Sequence, residues 1–341
     1  MARVLLVCAT SHPVDVDIVE SVLSDHEVDV LEVPAADRRQ PAAQDALVDA
    51  LTDHAGILTR TIRVTRRAID AASELQVVST HSAGYDHLDL EAMSDHGIVA
   101  IHNPDGPAPA VVEHTFAMAF TLLRDLPRRY AEMANGEWFS AREVQPELGQ
   151  RTVGVLGLGT IGYNVARVAA EGFRAETIAH DPYVSGEQHS PIFPRVDSET
   201  VEGHGIELVG RPELFDRADV LLVHVPLTPE TRHSIGAAEF DRLDGGTLIN
   251  VARGPVIDED ALLAALSDGR VARAGLDVFA EEPTDNDELV SHPNVQATPH
   301  VAGYADGTMT RTPRLAAQRL LAVLEGRRPD YVLNPEVYDR G

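Results

Sequence analysis

One stretch, residues 153–181, restricts the possible fold more than any other part of the chain. Val153, Val155 and Leu156 make a short apolar run ending in Gly157-Leu158-Gly159-Thr160-Ile161-Gly162, and an apolar helical pattern follows from Ile161 to Phe173. Strand, glycine turn and helix in that order form the opening βαβ unit of a dinucleotide-binding domain. The first glycine permits the tight turn, the second lets a pyrophosphate approach the backbone, and the third lets the helix pack close to the strand. The amino end of that helix then faces the phosphates. A second strand, Thr177 to His180, delivers Asp181, nineteen residues after Gly162. An acid at that distance accepts hydrogen bonds from the adenosine ribose hydroxyls and favours NAD over NADP. Asp181 also precedes Pro182, a pair that starts a turn without any ligand.

A chain of 341 residues is long enough for about two domains. Its 54 acidic against 28 basic residues leave a formal charge of −26, which argues against nucleic acid and anionic membranes as partners. All 28 bases are Arg and none is Lys. A GC-rich genome explains the choice of Arg; the twofold excess of acid fits better with a surface suited to high salt, where short Debye lengths screen self-repulsion. Cys8 is the only cysteine, so no intrachain disulfide forms and no C-x-x-C metal or redox motif exists. The Val4 to Ala9 run is too short for a signal sequence and no stretch approaches 18 apolar residues, so a cytoplasmic protein is expected.

Short apolar runs at Val4–Val7, Val28–Val33, Gly56–Leu58, Gln76–Ser79 and Ile98–Ile101 alternate with helical patterns, which predicts a parallel sheet covered on both faces. The loop Thr80-His81-Ser82-Ala83-Gly84-Tyr85-Asp86 follows the fourth of these strands. It is either an ordinary Gly turn or a run of amides able to hold a carboxylate beyond a strand end. Arg60, just past the third strand, is a second anion-binding candidate. The turn-forming cluster Asn103 to Pro109 marks a domain boundary. A helix from Val111 to Leu123, apolar on nearly all sides, requires burial between domains or against a second subunit. Glu113 and His114 within it read as structural groups, and Trp138 and Phe139 as interface anchors. The polar stretch Ser185 to Gly205 carries no chemistry.

Further strands are expected at Val220–Val225, Thr247–Asn250, Ala274–Val278 and Val295–Ala297, with a helix capped by Asp258 and ended by Gly269, and a last helix at Arg314–Glu325. Arg253, Glu282 and His300 lie just beyond carboxyl ends of these parallel strands, where ligands bind. Reducing a 2-oxo acid takes a hydride donor, a proton for the oxygen and a cation for the carboxylate. Arg253 offers a permanent bidentate cation, His300 a proton in the useful range, and Glu282 a partner that orients the imidazole.

At these residues the chain resembles the D-isomer-specific 2-hydroxyacid dehydrogenase family over nearly its whole length. The likeness rests on Gly154 to Gly162, His224 to Thr231, Asn250-Val251-Ala252-Arg253-Gly254, Gly275 to Phe279 through Glu282-Pro283, and Thr298-Pro299-His300. It implies a catalytic triad of Arg253, Glu282 and His300, Asp277 at the nicotinamide carboxamide, and Gly157, Gly159, Thr160, Ile161, Gly162, His224, Val225, Pro226, Thr231, Ala252 and Gly303 along NAD. Amides of Ser82, Ala83 and Gly84, with Arg60 and Arg253, would hold the substrate. The implied fold is α/β: two doubly wound parallel-sheet domains, with a Rossmann cofactor domain at 105–297 inserted into a flavodoxin-like substrate domain at 1–104 plus 298–341. A homodimer joined through the cofactor domains is implied as well.

Two departures are visible: His81 stands where the family often has Arg, and Ala110-Val111-Val112 where it has Ser-Val-Ala. The sequence after His300 is read as holding no regulatory domain of the kind expected in many phosphoglycerate dehydrogenases, and the Ser79 to Leu90 loop resembles glyoxylate and hydroxypyruvate reductases more closely. An NAD-dependent reductase of such small 2-oxo acids is therefore expected, with phosphoglycerate dehydrogenase and a non-turnover NADH-sensing protein as alternatives.

Overall fold

A computed structural model of the chain describes residues 1–10, 13–34, 40–51, 53–60, 62–138, 144–188, 190 and 196–339. Phe139 lies outside the described residues. The chain divides into two compact units, a discontinuous one of residues 1–108 and 304–341 and an inserted one of residues 109–303.

In the first unit, strands β1 (Arg3–Ala9), β2 (Glu27–Val33), β3 (Gly56–Thr59), β4 (Val77–Thr80) and β5 (Val99–Ile101) form an all-parallel sheet in the order β2-β1-β3-β4-β5. This is the flavodoxin-like order. Because both faces are covered, β1, β3 and β4 are buried along almost their whole length, which explains their continuous apolar runs. One face packs on the helix Asp306–Leu324, whose Ala316, Ala317 and Leu320 join Leu6, Leu58 and Val77 in one core cluster. That helix starts eight residues before the expected Arg314 and runs through Pro313. A proline inside a helix removes one hydrogen bond and costs about 3 kcal/mol. Thr308, Thr312, Pro313, Ala316, Ala317 and Leu320 are all buried on the same side, and that stripe outweighs the lost bond.

In the inserted unit, β6 (Thr152–Leu156), β7 (Glu176–His180), β8 (Ile206–Leu208), β9 (Val220–Val223), β10 (Gly246–Asn250), β11 (Val271–Leu276) and β12 (Val295–Ala297) run parallel in the order β12-β11-β10-β9-β6-β7-β8. Strand order reverses between β6 and β9, so the crevice beyond their carboxyl ends is the ligand edge of a Rossmann sheet. The edge strand β8 was not expected: only Ile206 of its three residues is buried, so it has no alternating pattern to read. Asp258 accepts from the Ala261 amide at 3.0 Å and Gly269 ends its helix at φ +85°, as the caps predict. The apolar helix spans Ala108–Leu123; Phe116, Met118, Ala119 and Leu122 enter the core, while Glu113 and Ala117 remain exposed. Among the described residues no helix is long and apolar enough to cross a membrane.

Candidate active site

The glycine turn joins β6 to the helix Thr160–Arg167, and its three glycines meet different surroundings. Gly157 stands at φ +93°, and a Cβ there would lie 2.8 Å from the His224 carbonyl oxygen. A Cβ on Gly162 would run into the Gly157 carbonyl. At Gly159, the N-cap of the helix, a Cβ would meet nothing within 4 Å. The outer two glycines are required by the protein's own packing, whereas the middle one faces open space at a helix amino end. That is the cradle a pyrophosphate needs.

Asp181 follows β7, and its carboxylate accepts from the Leu158 amide at 2.8 Å and the Tyr183 amide at 2.9 Å. The second bond is the turn expected of Asp-Pro; the first ties the acid to the glycine loop. Beside the loop, His224 ends β9 by donating its amide to the Leu156 carbonyl at 2.8 Å. Burial pushes its imidazole down to about 3, so the ring is neutral, and among the described residues its Nε2 has no hydrogen-bond partner. A polar atom withheld from water at the ligand edge is suited to a bound group. The next turn, Val225 to Thr231, is closed by Thr231, whose hydroxyl donates to the Pro226 carbonyl at 2.6 Å and accepts from the Thr228 amide at 2.8 Å. These residues fit a dinucleotide.

Three strand ends supply the titratable groups. After β10, the Asn250 side chain bridges the turn, accepting from the Ala252 amide at 3.0 Å and donating to the Arg253 carbonyl at 2.9 Å. Gly254 then packs so closely that a Cβ would strike the Phe279 carbonyl, which presses the Arg253 turn onto the loop after β11. That loop carries Glu282, and both its carboxylate oxygens accept from Nδ1 of His300, at 3.0 and 2.9 Å. The His300 side chain is 46% exposed and that of Glu282 14%, so the imidazole reaches solvent while its partner stays sheltered.

His300 has φ +53°, an unfavourable conformation for a side chain with a Cβ, and its neighbours hold it there. Its amide donates to the Asp277 carbonyl at 2.8 Å, while the Asp277 carboxylate accepts from Thr298 Oγ1 at 2.6 Å, Val301 N at 2.8 Å and Ala302 N at 2.9 Å. Burial by itself would raise the Asp277 carboxyl, yet the bonds from His114, Thr298 and the two amides hold it below the usual carboxylate range. Asp277, expected at the carboxamide, thus clamps segment 298–302 to the sheet of the inserted unit, where Gly303 ends that unit. His114 is within 3.2 Å of Thr298 Oγ1 in the same network.

The other candidates belong to the first unit. All three carbonyls of the Ser82–Gly84 loop are tied back: Ser82 O to Asn103 N at 2.9 Å, Ala83 O to His102 Nδ1 at 2.8 Å, Gly84 O to Ser82 Oγ at 2.7 Å. In a trans peptide the N–H points opposite to the C=O, so the amides of Ala83, Gly84 and Tyr85 face the other way. Arg60 follows β3 at the β1/β3 switch point of this sheet. It is 6% exposed, donates to the Pro13 carbonyl at 2.6 Å and lies 5.1 Å from the Tyr304 ring centroid. Burial lowers its pKa, and burial together with the Arg60 charge pushes His81 down to about 3, so His81 is neutral.

A model of the D-isomer specific 2-hydroxyacid dehydrogenase, NAD binding domain, matches residues 116–302, more than half of the chain. The chain belongs to the D-isomer-specific 2-hydroxyacid dehydrogenase family. Its inserted unit contains the family's NAD-binding domain. Among curated relatives, the D-3-phosphoglycerate dehydrogenase of Methanocaldococcus jannaschii is 34% identical over 294 residues, covering 85% of this chain and 54% of that one. The chain spans about half the length of the curated relatives it matches. Among solved structures, the D-lactate dehydrogenase of Aquifex aeolicus, complexed with NAD and lactic acid, has a TM-score of 0.79 at 28% identity, covering 99% of this chain and 98% of that one. The NADPH-dependent glyoxylate/hydroxypyruvate reductase of Sinorhizobium meliloti, in complex with NADP and malonate, has a TM-score of 0.79 at 29% identity and covers 98% of each chain.

Proposed function

We propose that the protein is an NAD-dependent reductase of small 2-oxo acids such as glyoxylate or hydroxypyruvate, working reversibly on the D-2-hydroxy acids. The observation that carries this reading is the Glu282–His300 pair beyond the strand ends of the cofactor-binding unit. NADH, when bound, supplies the hydride. Arg253 holds the substrate carboxylate and polarises its carbonyl through a planar, permanently charged guanidinium. His300, protonated and steadied by Glu282, gives its proton to the oxygen as negative charge develops there, and takes it back in oxidation. In the first unit, the amides beyond Ser82 are read as groups able to hold a carboxylate. Arg60 of the same unit is a further anion-binding candidate, held against the Pro13 carbonyl and the Tyr304 ring and so fixed in place.

NAD is favoured over NADP because Asp181 would repel a 2′-phosphate and none of Pro182, Tyr183 and Val184 is basic. A homodimer through the cofactor-binding units would cover the exposed apolar side chains Leu126, Tyr130 and Met133, spaced along one face of the helix Leu126–Ala134, and the neighbouring Trp138. The location is read as cytoplasmic, since a single cysteine fits a reducing compartment. A panel of 2-oxo acids assayed with NADH and NADPH tests the whole reading. Fast turnover of glyoxylate or hydroxypyruvate with NADH is expected. Activity confined to a phosphorylated substrate would favour phosphoglycerate dehydrogenase, the reading that the curated relatives support, and tight NADH binding without turnover on any acid would favour an NADH sensor.

A further inference from the structure

The loop bearing Glu282 is fastened by one carboxylate that neither the motif nor the proposed chemistry includes. Glu259 opens the helix Glu259–Asp268, and its Oε1 accepts from the Ala280 amide at 2.6 Å while its Oε2 accepts from Asn286 Nδ2 at 3.0 Å. Ala280 and Asn286 flank Glu282, so a single side chain grips the loop on both sides of the acid. Below it Gly254 packs against the Phe279 carbonyl, which stops the loop from sinking. Within its own loop Glu282 accepts from the Phe279 amide at 3.4 Å, next to the Ala280 amide that Glu259 holds. A shift of this loop carries Glu282 with it relative to His300. Asp277 holds the histidine side of the pair, and Glu259 stands in the same relation to the glutamate side.

We propose that Glu259 is a positioning residue for the acid–base pair: by stapling Ala280 to Asn286 it sets the register in which Glu282 meets His300 Nδ1. This rests on the reading of Glu282 and His300 given above. Bonds from N–H groups to an ionised carboxylate are among the stronger hydrogen bonds of a folded protein, and a displacement of about 1 Å at a reacting pair can lower a rate about 10²-fold. The plain alternative is that Glu259 only favours the positive end of its helix, a contribution to stability with no bearing on chemistry.

The test compares Glu259→Ala, Glu259→Gln, Asn286→Ser and Glu282→Gln in the whole protein, using NADH and the fastest acid of the panel. Glu259→Ala should lower kcat by about tenfold or more, move the alkaline limit of reduction to lower pH as Glu282→Gln does, and leave the NADH dissociation constant unchanged. Glu259→Gln keeps the acceptor for Ala280 but turns a donor towards Asn286, so it should fall between. Asn286→Ser retains an acceptor for the Leu289 amide while removing the donor to Glu259, and should shift the pH profile in the same direction by less; it decides the question if Glu259→Ala does not fold. Combined with Glu282→Gln, Glu259→Ala should add little. A lower melting temperature with an unchanged pH profile in both Glu259→Ala and Asn286→Ser overturns the proposal, as does a fully additive loss in the double variant. An unshifted Glu282→Gln enzyme overturns the acid–base reading and this proposal together; a shifted Glu282→Gln with unshifted Glu259 and Asn286 variants overturns this proposal alone.

Discussion

Both carboxylate oxygens of Glu282 accept from one atom, Nδ1 of His300. A carboxylate only accepts, so Nδ1 carries the proton and Nε2 is the nitrogen left for exchange with substrate. His300→Ala should lose about 10²–10⁴-fold in turnover, the usual contribution of a general acid–base group, and Arg253→Ala should lose most of its turnover too. NADH binding measured by fluorescence should persist in both. Glu282→Gln should be milder. Reduction draws its proton from the imidazole that the Glu282 carboxylate faces, so with that carboxylate replaced the alkaline limb of the profile should move down. A Glu282→Gln profile that overlays the parent enzyme would sink the assigned role.

The glycine turn supports a finer test, because Gly159 and Gly162 differ in what surrounds them. A Cβ on Gly162 strikes the Gly157 carbonyl, while one on Gly159 meets nothing within 4 Å. Gly162→Ala should therefore lower the melting temperature with or without cofactor. Gly159→Ala should fold and melt like the parent but bind NADH at least about tenfold more weakly, since a methyl group would occupy space meant for the pyrophosphate. Equal NADH affinity in Gly159→Ala and the parent would place the phosphates elsewhere. Asp181→Ala should weaken NADH and narrow its advantage over NADPH; a parent enzyme with higher kcat/KM for NADPH would refute the NAD preference.

Sequence reading succeeds here where a residue's task is steric and local. Gly157, Gly162, Asp258 and Gly269 each answer a constraint set within a few positions, and spacing alone exposes them. It fails where a task depends on a distant partner. Glu259 is one more acid in a first helical turn until the fold brings Ala280 and Asn286 to it, 21 and 27 positions on. His114 and Thr298 are similarly mute, because the bond that joins them spans 184 positions. Arg60 reads correctly as a cation beyond β3, but not as one seated against the Pro13 carbonyl and the Tyr304 ring. Strand β8 and the extra turns before Pro313 escape notice for a related reason: each is decided by packing on neighbours, which overrides local preference.

Asp277 provides a prediction about pH and stability together. Asp277→Asn replaces one acceptor by a donor facing the Thr298 hydroxyl or the Val301 and Ala302 amides. Leaving buried donors unmatched costs about 1–3 kcal/mol, and the left-handed backbone at His300 loses its clamp. Turnover should fall along with the melting temperature. The folded-state pKa of Asp277 lies below the usual value, so its stabilisation is complete above the unfolded value, about 3.9, and is lost as pH falls through the lower folded value. The stability gap between parent and variant should hence be constant from pH 5 to 8 and close only in stronger acid. A gap that widens on acidification would contradict the assignment.

Salt dependence follows from charge and not from any motif. Each chain carries −26, and its acids cluster around shared arginines: Arg217 bonds Glu176, Glu207 and Glu213, and Arg3 bonds Glu27, Asp29 and Asp53. Three carboxylates around one guanidinium leave each cluster with excess negative charge, which mobile cations screen. The Debye length is roughly 30 Å at 0.01 M and about 3 Å at 1 M, so like charges across the surface oppose one another in dilute buffer and scarcely interact in molar salt. Exposed pairs of this kind contribute little to stability, so weakening them by screening should not reverse the trend. Stability and activity should both rise from dilute buffer towards molar KCl, and activity lost on brief dilution should return at least partly when salt is restored. Codon bias as the sole origin of the composition predicts indifference to salt. A melting temperature and turnover number that stay flat or fall between 0.05 and 2 M KCl would reject a salt-adapted surface and leave the proposed chemistry of Arg253, Glu282 and His300 untouched.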